Sequence, residues 1–182
     1  MAPENWQVDP VHSAISFSVR HMVISKVRGR FARWNAKLNL DLADLARTAV
    51  EVDIEAASID TGVADRDSHL RSADFLDAPR VPSLTYRSRR VEVISPERLR
   101  VRGDLSIRGV TREVTLEVEY GGRGEDSWGN ECVGFIANSS LSRKDFGLTW
   151  NQALETGGVL VADRVDIEIE LQATRPAASK VA

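Results

Sequence analysis

Residues 98–120, RLRVRGDLSIRGVTREVTLEVEY, constrain the fold most strongly, because they contain two stretches in which apolar and polar side chains alternate. Successive side chains of a β-strand point to opposite faces, so each stretch predicts a strand with one apolar face and one charged face. Gly109 lies between the stretches, and glycine readily adopts the positive φ that tight hairpin turns often need. The segment therefore predicts an antiparallel hairpin that buries one face.

The same alternation recurs along most of the 182 residues and predicts about eight long strands with little helix. Each strand has one apolar face, so the sheet must either pack on a second sheet or close on itself. Closure removes unpaired edges, and about eight strands enclose an interior that holds side chains or one small ligand. We therefore expect an all-β closed antiparallel barrel with a bulge near residues 29–32 and an irregular insertion at 58–79 that contains a short helix.

The order of the strands predicts which loops meet. If neighbouring strands run antiparallel, residues 21–26, 58–79 and 143–159 gather at one end of the barrel, and residues 10–13 lie at the other. The two long insertions and the unusually apolar segment 21–26 would then surround one opening. Such a cluster of loops is the natural place for an entrance.

Composition limits the possible partners and compartments. A net charge of −3 gives no electrostatic case for nucleic acid, which would call for a basic face, and Cys132 alone cannot form an internal disulfide. The sequence starts without the basic and apolar regions of a signal peptide, so we expect a cytoplasmic protein. We expect one barrel domain over residues 1–174 and a disordered tail over residues 175–182.

Several motifs in a consistent order resemble the YceI-like family of lipocalin-like barrels. They are WQVD (6–9), FSVRH (17–21), SIDTG (58–62), RDSHLRSADFLDAPRVP (66–82), GDLSIRGVTREVTL (103–116) and DFG (145–147). This resemblance covers residues 6–173 and implies an antiparallel barrel whose apolar lumen holds a polyisoprenoid or a similar long amphiphile. Many members of the family are exported, and this sequence differs from them in showing no signal.

The resemblance places a ligand in the lumen, whereas the alternation by itself indicates only an apolar interior. Inward-facing residues such as Ala36 and Ala137 are small and leave room for a cavity. For each inward residue, plain core packing is the alternative to ligand contact. The predicted lumen residues are Ile15, Phe17, Val19, Trp34, Leu38, Val52, Ile54, Leu105, Leu116, Phe135 and Ile167.

A polar head group would lie at the crowded opening. The candidates to meet it are His21, Arg66, His69, Arg71 and Arg143, because arginine suits phosphate through its planar, bidentate geometry. The alternative is that Arg66 and Asp67 fix the insertion to the barrel through ion pairs. Similarly, Met22, Val23 and Ile24 either contact a membrane while lipid is loaded or cap the barrel.

The leading hypothesis is a non-enzymatic protein that binds, stores or transports a polyisoprenoid or other long-chain lipid, with no cofactor besides this non-covalent ligand. No catalytic motif is recognisable, and the predicted topology separates His12 from His21 and His69, which argues against a three-histidine metal site. Two other hypotheses stay open. One is an enzyme that acts on such a lipid through His21, His69 and Asp65, and the other is a packed barrel that serves as a protein-interaction module. A homodimer is compatible with each of them.

Overall fold

The computed structural model describes residues 4–175, with side chains from Trp6 onward. An α-helix, α1, spans Ala64–Arg71, and short 3₁₀ helices span Leu45–Arg47, Ala56–Ser58 and Arg143–Phe146. The strands are β1 (Glu4–Val8), β2 (Ala14–His21), β3 (Ser25–Phe31), β4 (Trp34–Leu40), β5 (Ala49–Glu55), β6 (Ile59–Asp60), β7 (Ser83–Ser95), β8 (Arg98–Ile107), β9 (Val110–Glu125), β10 (Glu131–Ser142) and β11 (Val161–Arg175). Within the described residues, no helix has the length and apolar character needed to cross a bilayer.

The sheet closes into the predicted antiparallel β-barrel. The strand β11 pairs with β10 on one side, and on the other it pairs first with β2 and then with β1. The pairs β1/β2, β3/β4 and β5/β6 each act as one interrupted wall strand, so the wall consists of eight antiparallel strands in chain order. The alternation of apolar and charged residues thus corresponds to the inside and the outside of a closed wall.

Two details of the prediction are wrong. Residues 10–13 do not lie at an end of the barrel, because they interrupt a single wall strand between β1 and β2. The expected bulge at 29–32 is instead a break between β3 and β4, which pair with different partners. Gly29 occupies an inward position of β3, so the alternation of apolar residues is weaker in this strand. A Cβ at this position would overlap the Phe17 ring, so any larger residue would require that ring to move.

The hairpin of β8 and β9 follows the predicted register. Ile107 is opposite Val110, and the two turn residues Arg108 and Gly109 have φ values of 51° and 76°. Positive φ at both central residues is the geometry that matches the twist of a two-residue hairpin. The inward residues Leu99, Val101, Leu105 and Ile107 are all buried.

The two ends of the barrel differ. At one end, the buried side chains of Trp6, Leu40 and Val133 fill the interior, and the guanidinium of Arg175 lies 4.7 Å from the Trp6 ring. Arg175 is the last residue of β11 rather than the first of a tail, and the predicted disorder of residues 176–182 lies outside the described residues. The other end, here called the mouth, carries residues 22–24, 61–82, 108–109 and 143–160.

Candidate ligand-binding lumen

The barrel is hollow, and its interior forms two adjoining chambers. The upper chamber, at the mouth, has a volume of about 480 Å³, and the lower chamber has a volume of about 150 Å³. Ile15, Leu105 and Ile167 line both chambers and mark the waist between them. A volume of 300–1,000 Å³ is typical of ligand sites, so the upper chamber is large enough for a small molecule or part of a chain.

The upper chamber is built by the alternation of β2 and β11. Phe17, Val19, Val165 and Ile167 point inward but are only half-buried, because a hollow interior leaves one side of each without a packing partner. Aromatic rings form part of the rim. The Trp150 ring centroid lies 4.6 Å from that of His69 and 5.3 Å from that of Phe75.

The lower chamber has almost entirely apolar walls. Ala36 and Ala137 supply small side chains, as the sequence predicts. The Tyr86 hydroxyl faces the carbonyl oxygens of Val101 (3.4 Å) and Val114 (3.3 Å), and its burial raises the pKa of the phenol well above the ordinary value. The Thr48 hydroxyl oxygen is buried at this chamber and has no hydrogen-bond partner among the described residues. Polar recognition in the lower chamber is therefore sparse.

The structure brings most of the predicted lumen residues together. All of them except Ile54 line at least one of the two chambers, whereas Ile54 is a buried core residue that lines neither. The prediction did not include Phe31, Tyr86, Trp150 or Leu160, which also line the chambers. Alternation could have indicated Tyr86, but Trp150 and Leu160 lie in an irregular segment without any periodic signal.

Arg66 faces the upper chamber, but part of its guanidinium is already engaged. Its Nε donates to the Thr61 hydroxyl at 2.7 Å, and its Nη2 donates to the Thr61 carbonyl at 3.0 Å. Buried Asp67 accepts from the backbone N–H of Thr61 at 2.9 Å and from its hydroxyl. Arg66 and Asp67 thus attach α1 to the chain just after β6 through hydrogen bonds, not through the ion pairs that the sequence suggested. Arg71 also bonds to backbone, with Ala57 and Ile59 carbonyls as acceptors.

The two histidines at the mouth differ in their surroundings. His69 Nε2 lies 2.8 Å from a carboxylate oxygen of Asp74, and its ring packs edge-on against Phe75 and Trp150. His21 ends β2 and lines the upper chamber, and within residues 6–175 its ring forms no hydrogen bond. Of these two histidines, His21 is therefore the one whose ring is less engaged by hydrogen bonds.

Arg143 lines the upper chamber as a buried cation with four backbone acceptors. Its Nε donates to Ala162 at 2.9 Å, its Nη1 to Leu148 and Trp150 at 2.6 and 2.9 Å, and its Nη2 to Val161 at 3.3 Å. Burial lowers the pKa of the guanidinium, and the nearby charge of Asp163 opposes that shift. Arg143 thus joins the rim segment at 148–150 to the start of β11.

Asp163 supports this region and gives it a pH dependence. The Ser142 hydroxyl donates to Asp163 at 2.6 Å, which lowers the pKa of the carboxyl, and the Lys144 backbone N–H adds to the effect. A lowered folded-state pKa gives stability that is complete above the unfolded value, about 4, and is lost as the pH falls through the folded value.

We expect Asp163→Asn to lower the urea midpoint of unfolding at pH 7 and to lose less stability than the wild type between about pH 4 and pH 2. The amide cannot ionise, so this part of the acid sensitivity disappears. Urea titrations at several pH values measure both effects. Parallel pH profiles for the two proteins would contradict the assignment.

Within residues 6–175, no group of three or more His, Cys, Asp or Glu side chains has the geometry to hold a metal ion. His12 lies in the interruption between β1 and β2, where its Nδ1 is 2.7 Å from Asp9. His12 is thus used locally and does not join His21 and His69.

Comparison with known proteins identifies the family. The model of the YceI-like domain matches residues 6–173. The chain belongs to the YceI-like family. A UPF0312 protein of Staphylococcus epidermidis is 37% identical over 161 residues, which are 88% of this chain and 91% of that protein. A UPF0312 protein of Vibrio cholerae is 36% identical over 137 residues, which are 75% of this chain and 72% of that protein.

Solved structures of three other proteins share the architecture. Burkholderia cenocepacia BcnA has a TM-score of 0.81 at 26% identity, and the similarity covers 92% of this chain and all of BcnA. The Campylobacter jejuni YceI protein has a TM-score of 0.75 at 31% identity over 86% of this chain and 89% of that protein. A polyisoprenoid-binding domain from Saccharophagus degradans has a TM-score of 0.64 at 15% identity over 96% of this chain and 99% of that domain. At that identity the similarity shows a shared fold alone.

Proposed function

We propose that this YceI-like protein binds a polyisoprenoid or another long-chain lipid in its lumen, without catalysis, and stores or transports it. The main support for the proposal is the shape of the interior. The upper chamber is a largely apolar space of about 480 Å³ that opens among the mouth segments and adjoins a second apolar chamber. A closed barrel with a packed interior would have no such space. A long apolar chain suits this shape, with its tail directed towards the lower chamber.

Burial of hydrocarbon supplies enough free energy for such binding. Each buried methylene contributes about 0.8 kcal/mol, so about ten buried carbons contribute roughly 8 kcal/mol before entropic costs. The domain from Saccharophagus degradans is described as polyisoprenoid-binding, which agrees with this ligand class. Family membership supports the same choice.

The arginines at the mouth favour a ligand that is held chiefly by apolar contact. His21, His69 and Asp65 do line the upper chamber, as an enzyme hypothesis requires. However, Arg143 uses its donors on four backbone carbonyls, and Arg66 uses Nε and Nη2 on Thr61. These contacts hold the rim in place. They support a site that recognises its ligand chiefly through apolar surface.

Mass spectrometry tests the proposal directly. We expect an organic extract of the freshly purified protein to contain a stoichiometric long-chain species, which native mass spectrometry detects on the folded protein and loses on denaturation. If the host lacks the lipid, the apo protein should take up a polyprenyl phosphate or an isoprenoid quinone. An apo mass together with no uptake of either compound would refute the proposal and favour an interaction module.

A further inference from the structure

An exposed apolar tip stands at the mouth, in the turn between β2 and β3. Met22, Val23 and Ile24 form this apolar tip, and their exposed fractions are 44%, 71% and 88%. Isolated exposed apolar residues are common, whereas three consecutive ones at the end of a hairpin are not expected from solubility alone. The tip therefore requires an explanation.

Two residues of the tip have an unfavourable backbone conformation. Met22 and Val23 have φ values of 52° and 67°, a region that a β-branched residue such as Val23 rarely adopts. The Met22 N–H donates to the Leu160 carbonyl at 2.9 Å, and His21 pairs with Ser25 across the hairpin. Glycine or asparagine would suit these turn positions better, so the apolar side chains are retained at a conformational cost.

The tip lies beside the opening of the upper chamber. His21, immediately before the tip, and Leu160, which accepts its hydrogen bond, both line the upper chamber. Val159, next to Leu160, is 47% exposed and adds a second apolar point beside the tip. A surface that contacted the tip would thus lie directly at the opening of the chamber.

Three exposed cations lie next to the tip on the same hairpin. Arg20 and Lys26 are direct partners across β2 and β3, and Arg28 follows two residues further along β3. All three are exposed, and within residues 6–175 none of them forms an ion pair, whereas the next outward cation, Arg30, pairs with Asp60. The exposed carboxylates Asp65 and Glu155 belong to other mouth segments. Asp166 and Glu168 of β11 line the same outer groove as Lys26 and Arg28, and Asp166 pairs with Arg164.

We propose that this hairpin docks on an anionic lipid bilayer, with the apolar tip inserted at the headgroup boundary and Arg20, Lys26 and Arg28 facing lipid phosphates. An apolar end followed by cations is the arrangement that such a surface binds, through burial of hydrocarbon and attraction to negative charge. Docking would place the upper chamber against the bilayer. The interaction itself does not depend on what the lumen binds.

Vesicle co-sedimentation of the full chain tests the proposal. We expect binding to phosphatidylcholine vesicles that contain phosphatidylglycerol, weaker binding without phosphatidylglycerol, and a decrease with added salt. Ile24→Asp should weaken binding at least about tenfold, since burial of one isoleucine side chain corresponds to a factor of that size. Lys26→Glu should weaken binding to the anionic vesicles and reduce its dependence on salt.

Val11→Asp provides the matched control, because Val11 is 82% exposed but lies in the interruption between β1 and β2, away from the tip. It should bind vesicles like the wild type, and thermal unfolding should show that all variants are folded. Lack of wild-type binding to anionic vesicles, or an equal loss in Val11→Asp, would overturn the proposal. A change from dimer to monomer in Ile24→Asp without any vesicle binding would also overturn it and assign the tip to contact between two copies.

Uptake of a detergent-solubilised isoprenoid quinone, measured in parallel, separates this proposal from the lumen proposal. Ile24→Asp should retain that uptake, because Ile24 does not line either chamber. Vesicle binding without uptake of the quinone or of a polyprenyl phosphate would support docking while contradicting the lumen ligand. Quinone uptake without vesicle binding would support the lumen ligand and contradict docking.

Discussion

Replacing Ile167 by tryptophan is expected to weaken lipid binding at least about a hundredfold while the barrel still folds. Ile167 lies at the waist, where it lines both chambers between Ser139 and Phe17 of the neighbouring strands. An indole there would occupy space that the lipid chain needs and would exclude several methylenes, each worth about 0.8 kcal/mol. The chamber above has room for the ring, so folding should tolerate it.

Glu168→Trp is the matched control for this experiment. Glu168 is the next residue of β11, and its exposed side chain points to the outside of the wall. Both variants carry the same new side chain on the same strand, and only Ile167→Trp fills the lumen. Titration with a polyprenyl phosphate or an isoprenoid quinone measures the affinity, and thermal unfolding reports on folding. Undiminished binding by folded Ile167→Trp would show that the ligand lies elsewhere.

Arg143→Leu is expected to reduce the free energy of unfolding by about 3 kcal/mol or more, because four carbonyl oxygens lose a charged donor in a region with little access to water. For a domain of this size, such a loss lowers the melting temperature by about 10 °C. Residues 148–150 should also separate from the start of β11. We therefore expect hydrogen exchange to increase most at the mouth.

Arg164→Leu is the control for the loss of an arginine from the same region. Its side chain is 72% exposed and pairs with Asp166 on the surface, so its removal should cost no more than about 1 kcal/mol. Arg143→Lys should lie between the two, since lysine keeps the charge but lacks the planar set of donors. Equal melting temperatures for Arg143→Leu and Arg164→Leu would contradict the role assigned to Arg143.

The register of the hairpin illustrates what could be predicted well. Alternation in residues 98–120 depends only on the pleat of a strand, and it correctly separated the buried inward residues of β8 from its charged outer residues. Residues 29–32 illustrate the opposite case. Gly29 carries no apolar signal, and the reason for its presence is the Phe17 ring on the adjacent strand.

Local periodicity and the order of the strands were enough to predict the all-β class, the closed barrel and the gathering of the long insertions at one mouth. The contacts of the folded barrel were needed to establish that the interior is hollow and divided at Ile167, that Ile54 lies outside the chambers, and that Arg66 and Arg143 bind protein oxygens. Cavity volume and hydrogen-bond partners depend on how residues from distant strands and loops meet. Period-two alternation specifies which face a side chain occupies but not what it contacts there.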